Sequence, residues 1–103
     1  MELARQMYAH TEAFPHSETF GLRMQLRRSA VAVASHIADG HGRLTDVEVR
    51  KGLSAARGSL NELQTQTELA SSLRFIDEQS AKKLLELSIE VAKLINGLLG
   101  ALD

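Results

Sequence analysis

Cysteine is absent from this 103-residue chain, tryptophan is absent too, and proline occurs once. Without cysteine there is no disulfide framework, thiolate nucleophile or thiolate metal ligand, a composition that suits a reducing compartment. Aromatic residues are only 4% of the chain, so Tyr8, Phe14, Phe20 and Phe75 leave most of the core to aliphatic side chains. No apolar run approaches the roughly 20 residues that cross a bilayer, and the start of the chain lacks a basic-then-apolar signal pattern. No membrane association and a cytoplasmic location are therefore expected. Net charge is −1, so any role with nucleic acid requires basic residues gathered locally rather than a basic chain.

Hydrophobic residues make up 44% and charged ones 24% of the chain, a balance that favours folding over disorder. The length suits one domain with one core, spanning residues 1–103. Three breaks divide it: Phe14-Pro15 through Gly21, Gly40-His41-Gly42, and Arg74 to Asp77. Proline disfavours helix at the residue before it, and the glycines suit a left-handed cap and a tight turn. Four periodic segments remain.

The first, Glu2 to Phe14, looks shortened at its start and places Leu3, Met7 and Phe14 near one face, with Ala4 and Thr11 between them. The second, Leu22 to Asp39, carries Leu22, Leu26, Ala30, Val33 and Ile37. The third opens on Thr45-Asp46-Val47-Glu48, a capping box. Its stripe of Val49, Leu53, Ala56, Leu60, Leu63, Thr67 and Ala70 alternates steps of four and three, the signature of near-parallel or antiparallel helix packing. The fourth follows an Asp77 N-cap to Leu102, with Ala81, Leu84, Ser88, Val91, Ile95, Leu98 and Leu102 inward. The expected fold is all-α, an antiparallel up-down four-helix bundle.

The fourth segment is apolar around most of its circumference, which exceeds the three positions in seven that a bundle helix buries. A helix set deeply in its own bundle would explain this, but a second buried face against another copy explains it better. Two rows offset from the main stripes supply that interface: Met24 and Val31 with Ala38 in the second segment, Leu87 and Leu94 in the fourth.

Catalytic motifs are missing. A di-iron bundle site needs Glu-x-x-His pairs, and the chain has none. His36, His41, Asp39 and Asp46 gather near one helix end without a compact metal spacing, and capping accounts for them. No serine sits in a nucleophile-elbow pattern. Gly40-His41-Gly42-Arg43 lacks the strand and lysine of a phosphate-binding loop. No enzyme activity, cofactor or metal is expected.

Seven of the twelve basic residues fall between positions 23 and 57. In a hairpin folded at Gly40 to Leu44, residue numbers that sum to about 84 lie level, which sets Arg28 beside Arg57 and Arg23 near Glu62. Arg23, Arg27, Arg28, Arg43, Arg50 and Arg57 then form a stripe suited to phosphate, with Glu62 paired to Arg23 or Arg27 between the helices. Equally, Glu12, Glu18, Glu48 and Glu62 can pair with these arginines as an ordinary solvated surface.

The string FGLRMQLRRSAVAVASHIADGHGR, Phe20 to Arg43, followed by ARGSLNELQTQTELA, Ala56 to Ala70, resembles the four-helix-bundle family of 23S rRNA intervening-sequence proteins. The likeness covers nearly the whole chain. The family pattern has Pro-Ser-Asn-Ile-Ala-Glu-Gly where this chain has Ala34 to Gly40, so His36 replaces Asn and Asp39 replaces Glu. The resemblance implies an up-down bundle without known enzymatic activity, commonly a pentameric ring. It also implies kinship with the accessory variability proteins of diversity-generating retroelements, which bind a reverse transcriptase and nucleic acid. The expected function is a non-enzymatic homo-oligomeric binding module for RNA or a nucleoprotein; a protein-directed scaffold without nucleic acid is the alternative.

Overall fold

The structure is a computed structural model that describes residues 2–18, 21–41 and 45–102, except the side chains of Glu18, Gly40 and His41. Four α-helices follow in order: α1 (Glu2–Thr11), α2 (Leu22–His41), α3 (Asp46–Ser72) and α4 (Glu78–Ala101), with a 3-10 turn, His16–Glu18, after α1. No strand occurs among the described residues. The helices pack around a square as α1 on α2, α2 on α3, α3 on α4 and α4 on α1, while α2 and α4 stand diagonally.

The periodic stripes become the core. Leu53, Ala56, Leu60, Leu63, Thr67 and Ala70 of α3 are all buried, as are Leu26, Ala30 and Val33 of α2 and Leu3, Met7 and Thr11 of α1. In α4 the stripe runs Ala81, Leu84, Ser88, Ile95 and then Leu99. Leu98, expected inward, is 44% exposed. A strict seven-residue repeat drifts around a straight 3.6-residue helix, so a step of four from Ile95 holds the core face better than a step of three.

Helix ends follow their local chemistry. Thr45 Oγ1 accepts from the Glu48 N–H at 3.3 Å and caps α3. Asp77 Oδ1 accepts from the Ser80 N–H at 2.7 Å and caps α4. These bonds, with a second from the Ser80 hydroxyl, hold the Asp77 carboxyl below its ordinary value. At the other end of α3, the Phe75 N–H donates to Ala70 O at 2.9 Å and the Arg74 N–H to Ser71 O at 3.0 Å. That is a Schellman closure, and Arg74 occupies its left-handed position with φ 63°. Two expected boundaries shift. α1 stops at Thr11, and a turn bond from the Phe14 N–H to Thr11 O, 3.2 Å, carries Phe14 back into the core, where its ring meets Phe75 at 5.6 Å. α2 continues through Gly40 to His41 instead of stopping at Asp39.

Two glutamines of α3 set the register with both neighbours. Gln66 Oε1 accepts from Ser29 Oγ of α2 at 2.9 Å, and Gln64 Nε2 donates to Ser88 Oγ of α4 at 3.0 Å. The simple hairpin rule would have levelled Ser29 with Ala55. Because α2 runs on to His41 and α3 begins at Asp46, the fold-back lies later, and α3 is also displaced along α2 so that Gln66 comes level with Ser29. The bundle is also uneven in length. α1 has 10 residues, about 15 Å of helix, while α4 has 24, about 36 Å. Among the described residues, three helices continue past the level of Glu2.

Candidate interaction surfaces

Three surfaces carry the exposed chemistry, beginning with the α1/α2 face. Arg23 and Arg27 lie four residues apart on α2 and both reach Glu12 Oε2, at 3.5 and 3.1 Å. Arg27 is held further: its Nε donates to Thr11 Oγ1 at 2.8 Å and its Nη2 to Tyr8 O at 3.1 Å. Its guanidinium carbon stands 4.4 Å from the centre of the Tyr8 ring, a cation–π geometry. Arg28 and half-buried Met24 complete a shallow cleft of about 390 Å³ with Tyr8, Arg23 and Arg27.

The expected arginine stripe does not form as one surface. Arg23, Arg27 and Arg28 come together, whereas Arg57 points to α4, its Nη1 donating to Asn96 Oδ1 at 3.4 Å. Arg50 is half-buried near the start of α3. Arg43 lies outside the described residues. The Glu62 ion pair is also corrected: Glu62 is exposed on α3, and both arginines take Glu12 instead. The register explains this, since Ser29 meets Gln66 and Arg23 therefore lies beyond the level of Glu62. Glu12 was one of four candidate partners for these arginines in the sequence, but the part played by Tyr8 was not visible there, because the angle at which α1 returns on α2 is set by the Pro15 turn.

Between α3 and α4 runs a second shallow groove of about 430 Å³, with Leu85 and Ile89 on its floor and Glu68, Glu78, Glu86 and Lys82 along its edges. Sequence reading did not single it out. Its signal is the step of four from Leu85 to Ile89, each one residue on from Leu84 and Ser88 of the main α4 stripe.

The third surface is the end of the bundle that α1 does not cover. From Leu94 to Leu102, α4 carries no charged residue. Leu94 is 59% exposed, and beside it Gly97 and Gly100 face open space. Ile37, Val49, Leu53, Leu98, Ala101 and Leu102 line a wholly apolar cavity of about 190 Å³ opening there. Of the residues expected at an interface, Leu94 and Val31 are exposed, while Met24 is half-buried in the arginine cleft and Leu87 leans on the bundle's own core.

His10 lines a further shallow recess with Asp77, Lys82 and Lys83, its Nε2 enclosed without a hydrogen-bond partner. Among the described residues no three His, Asp or Glu side chains come together as a metal ion would need. His36 is half-buried and Asp39 exposed along α2. No described helix is long and apolar enough to cross a membrane.

A crystal structure of a protein of unknown function from the S23 ribosomal protein family of Bacteroides thetaiotaomicron superposes with a TM-score of 0.85. The match covers 95% of this chain and 92% of that one at 19% identity, which makes it a likeness of fold. No curated protein matches this chain. A family model described as 23S rRNA-intervening sequence protein matches residues 1–97. The solved structure shares the all-helical fold, and the chain belongs to the family of 23S rRNA-intervening sequence proteins.

Proposed function

We propose that this chain is a non-enzymatic binding module that works as a homo-oligomer. The observation that carries the reading is the charge-free last third of α4, whose exposed Leu94 and Leu98 adjoin an apolar cavity at an end that α1 leaves uncovered. Covering one leucine is worth about 1.5–3 kcal/mol, so a few per contact offset the entropy of association. Size-exclusion chromatography with light scattering tests it. The expected mass is a multiple of 11.3 kDa, five-fold if the ring implied by the family resemblance applies. Leu94→Glu should lower that mass to one chain with helical circular dichroism retained, and a single-chain mass for the unmodified protein at every concentration defeats the reading.

RNA or a nucleoprotein is the partner class we assign to the assembled module. Arg50 and Arg57, two turns apart on one face of α3, favour it, and repetition around an oligomer multiplies a modest patch. Filter binding of structured RNA should weaken linearly in log salt. Undetectable binding at low salt, with a protein partner that survives nuclease in a pull-down, would leave a protein-directed scaffold instead.

A further inference from the structure

The arginine cleft and the acidic groove mirror each other. On the α1/α2 face, Arg23, Arg27 and Arg28 with one carboxylate, Glu12, surround apolar Tyr8 and Met24. On the α3/α4 face, Glu68, Glu78 and Glu86 with one ammonium, Lys82, surround apolar Leu85 and Ile89. One patch carries a net charge of about two positive and the other about two negative, each around an uncharged centre, the arrangement by which complementary protein surfaces recognise one another. In a square bundle these two faces are opposite sides.

They also stand at one height. Ser29, next to Arg28, bonds to Gln66, two residues from Glu68. Gln64 in turn bonds to Ser88, next to Ile89. We infer that the α1/α2 face of one copy docks on the α3/α4 face of the next, Arg28 against the glutamate rim and Tyr8 and Met24 against Leu85 and Ile89. The contact rests on the homo-oligomer reading and gives it a geometry. Joining different faces head to tail produces either a closed ring or a helical filament. Because the two faces are level, successive copies do not climb along the bundle axis. All the open ends of α4 then lie on one side of the assembly.

A phosphate ligand is the competing use of the same arginines. Glu12 argues against it, since its carboxylate stands within 3.5 Å of Arg23 and 3.1 Å of Arg27 and would repel an incoming anion. Tyrosine and arginine around an apolar centre are the residues that dominate protein interfaces.

Charge reversal tests the contact. Arg28 and Glu68 are both exposed, so Arg28→Glu and Glu68→Arg should leave helical circular dichroism unchanged. In sedimentation equilibrium at low salt, each single variant should raise the dissociation constant of the assembly about tenfold by placing like charges together. The double variant, carrying both reversals in one chain, should return it to near the starting value. Single variants that assemble as tightly as the unmodified protein, or a double variant no better than the singles, overturn the contact while leaving the oligomer standing. An unmodified protein that never assembles removes the oligomer reading beneath it. Unchanged mass with lost RNA retention in Arg28→Glu would assign the cleft to phosphate.

Discussion

The two ends of the bundle solve the same packing problem differently. At the end holding α1, four helices enclose Leu3, Met7, Leu26, Leu63 and Leu84, and polar bonds tie each helix to a neighbour: Arg27 to Thr11, Ser29 to Gln66, Gln64 to Ser88. At the other end three helices converge, the cavity between them is lined only by apolar side chains, and the last turns of α4 are without charge. Over the described residues α1 has half the length of α2, so the core is four helices deep at one end and three at the other.

Truncation should separate the two ends most clearly. Leu84 is fully buried at the closed end, so Leu84→Ala should cost about 3 kcal/mol in urea unfolding, the transfer loss plus the cavity left behind. Leu98→Ala at the open end should cost less than about 1 kcal/mol in the isolated chain. Equal losses would mean that the open end is already closed.

Arg27 offers the next largest effect. Arg27→Met removes the bonds to Thr11, Tyr8 and Glu12 together, and we expect about 2 kcal/mol of lost stability from the charge-assisted and part-buried bonds involved. The same substitution at Arg57, whose single bond to Asn96 is exposed, should fall within about 0.5 kcal/mol of the parent.

Smaller still, and opposite in sign, Arg74→Gly should stabilise the chain by about 1 kcal/mol, because a left-handed conformation strains any residue with a Cβ. The gain should appear as a raised thermal midpoint.

The smallest effect concerns Asp77. Its carboxyl titrates below the ordinary value because the Ser80 N–H and hydroxyl bond the charged form. A depressed folded value stabilises above the unfolded value, near 3.8, and the contribution is lost as pH falls through the folded value. Asp77→Asn should therefore be slightly less stable than the parent at neutral pH, with the difference vanishing in acid melts.

The fold is legible in the sequence where one helix decides the outcome. Steps of four and three put Leu53 through Ala70 of α3 on one face whatever surrounds them, and Thr45 and Asp77 cap through bonds to residues three positions on. It is not legible where two helices must agree. Glu62 and Glu12 look equally able to meet Arg23 and Arg27, and only the height of α2 against α3, fixed by Ser29 and Gln66, and the return of α1 decide between them. Leu98 was expected inward, and Leu99 takes that place because a 3.5-residue repeat and a 3.6-residue helix diverge along α4.

The paired glutamines of α3 also bear on how the molecule breathes. A slip of α3 past either neighbour would break Gln66–Ser29 or Gln64–Ser88, so α2, α3 and α4 are coupled to open as one cooperative unit. α1 is tied in by Arg27 and by a few buried side chains of its ten residues. Native-state amide exchange should then find α1 detaching by a sub-global opening of lower free energy, while protected amides in the middle of the other three helices share a single, higher value.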